Sequence, residues 1–320
     1  MSSESITAIL ADVNAPVEAR YNALFEARSY LSAEETVSAI SGLLHSATPS
    51  ILLRHEACYV LGQTESPAAI PVLREVVASE AEHEITRHEA VEALGALGDL
   101  DCAELLESVK AKCKPEEIPL RETCELALRR IGEASDATRA KSDFNTVDPV
   151  AVDAEILAKL TEADIEELKT NILDTKTDAA SLAEKYAALF KLRSIKANGQ
   201  PSMAACRAIA FVMRHEKTSA LLRHELAFVL AQLAFGKPDA ELIDLVASCF
   251  QNSDEHCMVR HEAAVALGSI GGLRSKEVLA NFVASHKADD TNQEEAIVYE
   301  SCLVALESLK YWDDLQQKAA

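Results

Sequence analysis

LLRHEACYVLGQ, residues 52–63, returns as ITRHEAVEALGALG at 85–98, LLRHELAFVLAQL at 221–233 and MVRHEAAVALGSIGG at 258–272. Each copy has the frame hydrophobic-Arg-x-x-Ala/Leu-x-x-x-Leu, with apolar residues at helical spacing. Each is preceded by a second amphipathic stretch, such as PAAIPVLREVVASE at 67–80 or PDAELIDLVASCFQ at 238–251. A helix, a turn and a second helix that recur every 33 to 37 residues describe an α-solenoid.

Weaker copies flank the strong ones. RYNALFEARSY (20–30) matches KYAALFKLRSI (185–195), and RETCELAL (121–128) matches YESCLVAL (299–306). The order is then the same twice, with separations of 165 for Tyr21/Tyr186, 169 for His55/His224, 173 for His88/His261 and 178 for Glu122/Glu300. The growing separation implies longer turns in the second half. The expected fold is therefore all-α, a solenoid of about eight helical hairpins in two homologous four-repeat halves. The halves are read as residues 1–132 and 154–320. Between them EASDATRAKSDFNTVDPVAVD, 133–153, is polar and broken by Pro149, which reads as a linker. The frame resembles HEAT-like repeats of the phycobilisome-lyase type.

Composition agrees with this reading and narrows the function. Of 320 residues, 48% are hydrophobic and only 5% aromatic, an Ala/Leu/Glu-rich helical balance. A formal charge of −21 leaves no basic stripe for nucleic acid and suits a cationic partner or substrate. The eight cysteines form no C-x-x-C pair and read as buried, reduced thiols. MSSESITAILADV lacks a basic start, so no secretory signal is expected, and no apolar run approaches a membrane span. The expectation is a soluble monomer of the cytoplasm, with the nucleus as a further compartment.

The dipeptides after the arginine of the repeated frame carry the functional signal. His55-Glu56, His88-Glu89, His224-Glu225 and His261-Glu262 all occupy two variable positions near the start of a second, inner helix. In a solenoid those positions line one face. The outer repeats serve as a control, for they hold Tyr21-Asn22, Glu122-Thr123, Tyr186-Ala187 and Glu300-Ser301 instead. The His-Glu pair is thus no requirement of the repeat. Two further candidates fall out of register. Arg214-His215-Glu216 aligns with nothing and reads as a solvated coincidence. His83-Glu84 aligns with His256-Cys257 and reads as part of a turn.

Carboxylates gathered on one face repel each other, and burial raises the cost. A cation relieves this. Imidazole with carboxylate is the donor set of a borderline divalent metal, and two His plus one carboxylate per half make a facial set with open positions. That pattern is typical of non-haem iron, though zinc and manganese accept it as well. No H-E-x-x-H or ferritin-like E-x-x-H spacing is present, so the donors sit on repeats rather than in a bundle.

Two four-repeat halves, four His-Glu pairs and a mid-chain linker make the sequence similar to the deoxyhypusine hydroxylase family over nearly its whole length. The resemblance implies a monooxygenase with two Fe ions per chain and O2 as co-substrate. Its protein substrate would be a translation factor bearing deoxyhypusine, whose side chain gains one oxygen atom to complete hypusine. By position, His55, His88 and Glu89 would hold one iron, and His224, His261 and Glu262 the other. Glu56 and Glu225 would bind either metal or the cationic amines of the substrate, with the substrate role favoured. Glu122 and Glu300, in the His column of the terminal repeats, read first as solvated helix-start carboxylates favoured by the dipole, with binding of the distal ammonium as the alternative. Tyr21, Tyr186, Cys124 and Cys302 read as packing residues. Three rivals share parts of the pattern: a HEAT-type interaction scaffold without metal, a dinuclear metallohydrolase on the same donors, and a bilin-lyase-like protein, which gives no reason for four His-Glu pairs.

Overall fold

The structure, a computed structural model, describes residues 2–46, 50–133, 144, 146–176, 179–286 and 292–319. The chain divides into two compact units, the first reaching Pro149 and the second beginning at Val150. The first unit holds α1 (Ser3–Ala11), α2 (Val17–Tyr30), α3 (Ala33–His45), α4 (Ile51–Gln63), α5 (Ile70–Ala78), α6 (Glu84–Leu97), α7 (Ala103–Lys112) and α8 (Ile118–Gly132). The second holds a single-turn α9 (Ala154–Leu157), then α10 (Ile165–Ile172), α11 (Ala179–Ser194), α12 (Met203–His215), α13 (Ala220–Leu233), α14 (Ala240–Phe250), α15 (Cys257–Ile270), α16 (Leu273–Ser285) and α17 (Gln293–Ala319). Each unit is thus four antiparallel hairpins, an all-α solenoid. Its inner helices are the even-numbered ones of the first unit and α11, α13, α15 and α17 of the second. Inner helices stack on inner helices, α4 on α6 on α8 and α13 on α15 on α17. A tiny β-hairpin pairs β1 (Lys196–Ala197) with β2 (Gln200–Pro201), turned through Asn198-Gly199 with both residues at positive φ. Among the described residues no helix is long and apolar enough to cross a membrane.

Of the linker expected at 133–153, residues 134–143 and 145 lie outside the described residues. Its later part is fastened to the first unit. The Val147 amide donates to Gln63 Oε1 at 3.2 Å, and the Arg130 guanidinium donates to the Asp148 carbonyl.

The frame arginine has a structural task. Arg20, Arg54, Arg87 and Arg260 donate to the carbonyls of Leu10, Leu44, Val77 and Phe250 at 3.0, 2.9, 3.2 and 3.1 Å. Each carbonyl lies ten residues earlier, in the last two positions of the preceding outer helix, where intrahelical donors run out. The guanidinium satisfies it and places a positive charge at the negative end of the helix. Four frame arginines also reach a carboxylate just ahead of, or in the first turn of, the next inner helix: Arg54 to Glu82, Arg87 to Glu117 at 4.0 Å, Arg223 to Glu255 at 2.7 Å, and Arg260 to Glu295 at 2.8 Å. One side chain therefore closes its own hairpin and joins it to the next.

A glycine seven residues after the histidine sets the spacing of the inner helices. A Cβ on Gly62, Gly95 or Gly268 would stand 2.8, 3.0 or 2.8 Å from the Cβ of Ala93, Ala127 or Ala305 on the neighbouring inner helix. Seven residues is two turns, so glycine and histidine share one helical stripe. The close approach at the glycine brings adjacent histidines within reach of each other.

Two expectations need correction here. Glu216, read as solvated, is only 2% exposed. It lies 3.8 Å from Lys185 Nζ and 3.2 Å from Arg223 Nη1, and accepts from the Thr218 and Ser219 amides at 2.7 and 3.1 Å. It is a buried ionic junction, while Arg214 and His215 are exposed as expected. Register failed to flag it because its partners come from other elements. His83 and His256 are N-caps of α6 and α15, each accepting through Nδ1 from the amide two residues on, at 3.3 Å. The packing roles expected for Tyr186, Cys124 and Cys302 are seen, all three with no exposure. None of the eight cysteines is in a disulfide, and all but the half-buried Cys113 are buried.

Candidate metal centre

His55, His88, His224 and His261 are each the fifth residue of their inner helix, the second turn rather than the first. All four are buried, as are Glu56, Glu89, Glu225 and Glu262. Eight ionisable side chains in the interior, on the face that joins one inner helix to the next, are costly unless they serve a ligand.

In the first unit the His55 and His88 rings lie 5.7 Å apart, tilted by 30°. Glu89 bridges them, its Oε2 3.2 Å from His55 Nε2 and 3.6 Å from His88 Nε2. Glu56 Oε1 is 3.6 Å from His55 Nδ1. In the second unit the His224 and His261 rings lie 6.0 Å apart at 29°. Glu262 Oε2 is 3.6 Å from His224 Nε2 and 3.4 Å from His261 Nε2. Donor atoms of His224, His261 and Glu262 all fall within 4.8 Å of one another. Each unit thus converges two imidazoles from successive inner helices on one carboxylate, as the repeat register predicts.

The electrostatics of the first cluster call for a cation. Burial alone would push the His55 imidazole down. Hydrogen bonding and charge from Glu56 and Glu89 outweigh it and lift His55 to about 10. The pocket stabilises positive charge, and imidazole nitrogens beside carboxylate oxygen suit a divalent transition metal. The residues present therefore fit a metal ion in each unit.

Three contributors were missed in the sequence. Thr123 Oγ1 lies 3.2 Å from His88 Nδ1, and Ser301 Oγ lies 2.8 Å from His261 Nδ1. They occupy the second pair position of the terminal repeats, so the alignment named them without revealing their contact. Glu92 completes a group with His88 and Glu89 whose donor atoms lie within 4.8 Å. Burial, then the charge of Glu89, pushes its carboxyl up to about 8. Glu92 follows Glu89 by three residues, the spacing of one helical face. Glu122 and Glu300 are half-buried. Glu122 is the fifth residue of α8 and Glu300 the eighth of α17, beyond the turn in which a helix dipole favours a carboxylate.

HEAT repeats match residues 4–95 and 40–129, and the PBS lyase HEAT-like repeat matches 259–285. A deoxyhypusine hydroxylase of Gibberella zeae is 36% identical over 318 residues, covering 96% of this chain and 89% of that protein. Deoxyhypusine hydroxylase-B of Oryza sativa subsp. japonica is 39% identical, covering 94% and 90%. The chain belongs to the deoxyhypusine hydroxylase family. The solved structure of human deoxyhypusine hydroxylase, in complex with glycerol, superimposes with a TM-score of 0.79 at 32% identity, covering 97% of this chain and 96% of the human one.

Proposed function

We propose that this protein hydroxylates the deoxyhypusine side chain of a translation factor with O2, completing hypusine. The observation that carries the reading is the His–Glu–His cluster buried once in each unit, on a chain of this family. Two iron ions per chain are held one by His55, His88 and Glu89 and one by His224, His261 and Glu262. When bound, iron supplies the O2 activation that insertion of oxygen into a carbon–hydrogen bond requires.

The chain's own residues hold and orient. Burial of the donors keeps bulk water from the imidazoles and carboxylates. Glu56 and Glu225 offer buried carboxylates to the cationic amines of the substrate, where a charge-assisted hydrogen bond is strong. Glu122 and Glu300 take the distal ammonium. The net charge of −21 draws a basic target loop toward the protein. The enzyme acts as a monomer in the cytoplasm and nucleus and binds no nucleic acid.

The test is turnover of a deoxyhypusine-bearing translation factor under 18O2 with a supplied two-electron reductant, followed by mass spectrometry of the modified residue. The reductant is needed because one oxygen atom enters the substrate and the other takes two electrons and two protons to leave as water. One labelled oxygen atom in hypusine is expected. Unlabelled product, or no product from iron-loaded protein, would contradict the proposal. Glu56→Gln and Glu225→Gln should raise KM while the iron content holds. Loss of iron would make them metal ligands instead. Glu122→Gln and Glu300→Gln should raise KM by a smaller factor, and unchanged values would remove them from the site.

A further inference from the structure

Each unit ends in a repeat whose pair position no longer holds His-Glu. Glu122-Thr123 and Glu300-Ser301 stand there instead. The second residue of each pair reaches back to the histidine of the preceding inner helix. Thr123 Oγ1 meets His88 Nδ1 at 3.2 Å, and Ser301 Oγ meets His261 Nδ1 at 2.8 Å. Thr123 is 2% exposed, and Ser301, His88 and His261 not at all.

The direction of these bonds follows from hydrogen counting. Thr123 Oγ1 donates to the Pro119 carbonyl at 2.8 Å, and Ser301 Oγ donates to the Ile297 carbonyl at 2.6 Å. A hydroxyl carries one hydrogen, and a carbonyl oxygen can only accept. With that hydrogen committed, the hydroxyl oxygen can only accept from the imidazole. Nδ1 must then bear the ring hydrogen. In the neutral ring that a metal requires, Nε2 then keeps the lone pair, and it faces the carboxylate, 3.6 Å from Glu89 Oε2 in the first unit and 3.4 Å from Glu262 Oε2 in the second. Only a ring nitrogen with a lone pair can bind a metal, and the hydrogen bond at the other nitrogen selects which one it is.

We infer that Thr123 and Ser301 are positioning residues that lock His88 and His261 with hydrogen on Nδ1 and offer Nε2 to the metal. The inference rests on the metal reading above and deepens it. The competing view is that each hydroxyl merely back-bonds to its own helix, as buried Ser and Thr commonly do. That view explains the carbonyl contact. It does not explain why two different residue types, in two separate units, both end on Nδ1 of the corresponding histidine. It also gives no reason for a hydroxyl to replace the glutamate that the middle repeats carry at this position.

Two measurements on the whole chain test this. The first uses zinc-loaded protein with 15N-labelled histidine, because zinc is diamagnetic. Long-range 1H–15N correlation should show Nε2 bound and Nδ1 bearing hydrogen in His88 and His261. Thr123→Val should disturb that pattern for His88 alone and Ser301→Ala for His261 alone, with Thr123→Ser and Ser301→Thr restoring it. The second is anaerobic Fe(II) titration. Each hydroxyl-deleting variant should bind one of its two irons about 10–100-fold more weakly, with the conservative variants near wild type. Nδ1 as the bound nitrogen in wild type would overturn the inference. So would Thr123→Val and Ser301→Ala variants with wild-type spectra and iron affinity, even if their melting temperatures fall. A wild-type chain that binds no metal would overturn the functional reading itself, which separates the two failures.

Discussion

In the first unit the Glu89 carboxylate lies 3.2 Å from His55 and 3.6 Å from His88. In the second, Glu262 lies 3.6 Å from His224 and 3.4 Å from His261. The donors agree closely, but their surroundings do not. Where the first unit has Gly62, Arg20 and Glu92, the second has Ala231, Lys185 and Val265. Arg54 holds the Leu44 carbonyl at 2.9 Å, whereas its counterpart Arg223 binds the carboxylate of Glu216. Thr123 is answered by Ser301, different in type and alike in contact. The two halves repeat one pattern, and what stayed alike is the His–Glu–His set itself. The fastenings around it drifted, because several arrangements can hold two hairpins at one spacing.

The sharpest way to break the equivalence is to remove a donor from one unit at a time. His88→Ala and His261→Ala should each cost about one iron and lower turnover by more than the roughly 100-fold typical of losing an outer partner. Helical circular dichroism should be retained. If His88→Ala kept both irons, the donor assignment would be wrong.

The next largest effect should fall on stability and in one unit alone. Glu216→Ala removes the carboxylate beside Lys185, leaves Arg223 with Glu255 alone, and should destabilise the second unit by about 3–5 kcal/mol. Denaturant titration measures it, and an unchanged midpoint would show the junction to be idle. Gly95→Ala forces a Cβ to within 3.0 Å of the Ala127 Cβ and should cost about 1–3 kcal/mol through overpacking. The position matching Gly62 is already Ala231, so tightness there is a property of the first unit.

The smallest expected effect concerns the acid that only the first unit carries. The Glu92 carboxyl, at about 8 in the fold against 4.5 ordinarily, gives up its proton later than it would in the unfolded chain. Stability therefore falls as pH rises from 4.5 to about 8, then levels off. Glu92→Gln should raise the melting temperature of metal-free protein above about pH 8 and change it little near pH 4.5. Equal gains at both pH values would show that ionisation of Glu92 is not the cause.

The hairpins, their count and the His-Glu column were legible because the frame arginine and the apolar stripe repeat at a fixed period. The candidate donors stood out because His-Glu replaces other pairs only in the middle repeats. Thr123 and Ser301 escaped because a hydroxyl has no distinctive pattern, and its partner lies 35 or 40 residues away. Glu92 escaped because its match, Val265, is apolar, so register argued against it. Glu216 escaped because burial of a charge depends on which side chains close over it, and those come from α11 and α13.

The most direct measurement is metal content per chain, by inductively coupled plasma mass spectrometry, of folded protein purified without added metal. About two irons per chain are expected, one for each two-His, one-carboxylate set. Folded protein without stoichiometric metal, or with two zincs in place of iron, would contradict the assignment of these clusters to an oxygen-activating centre.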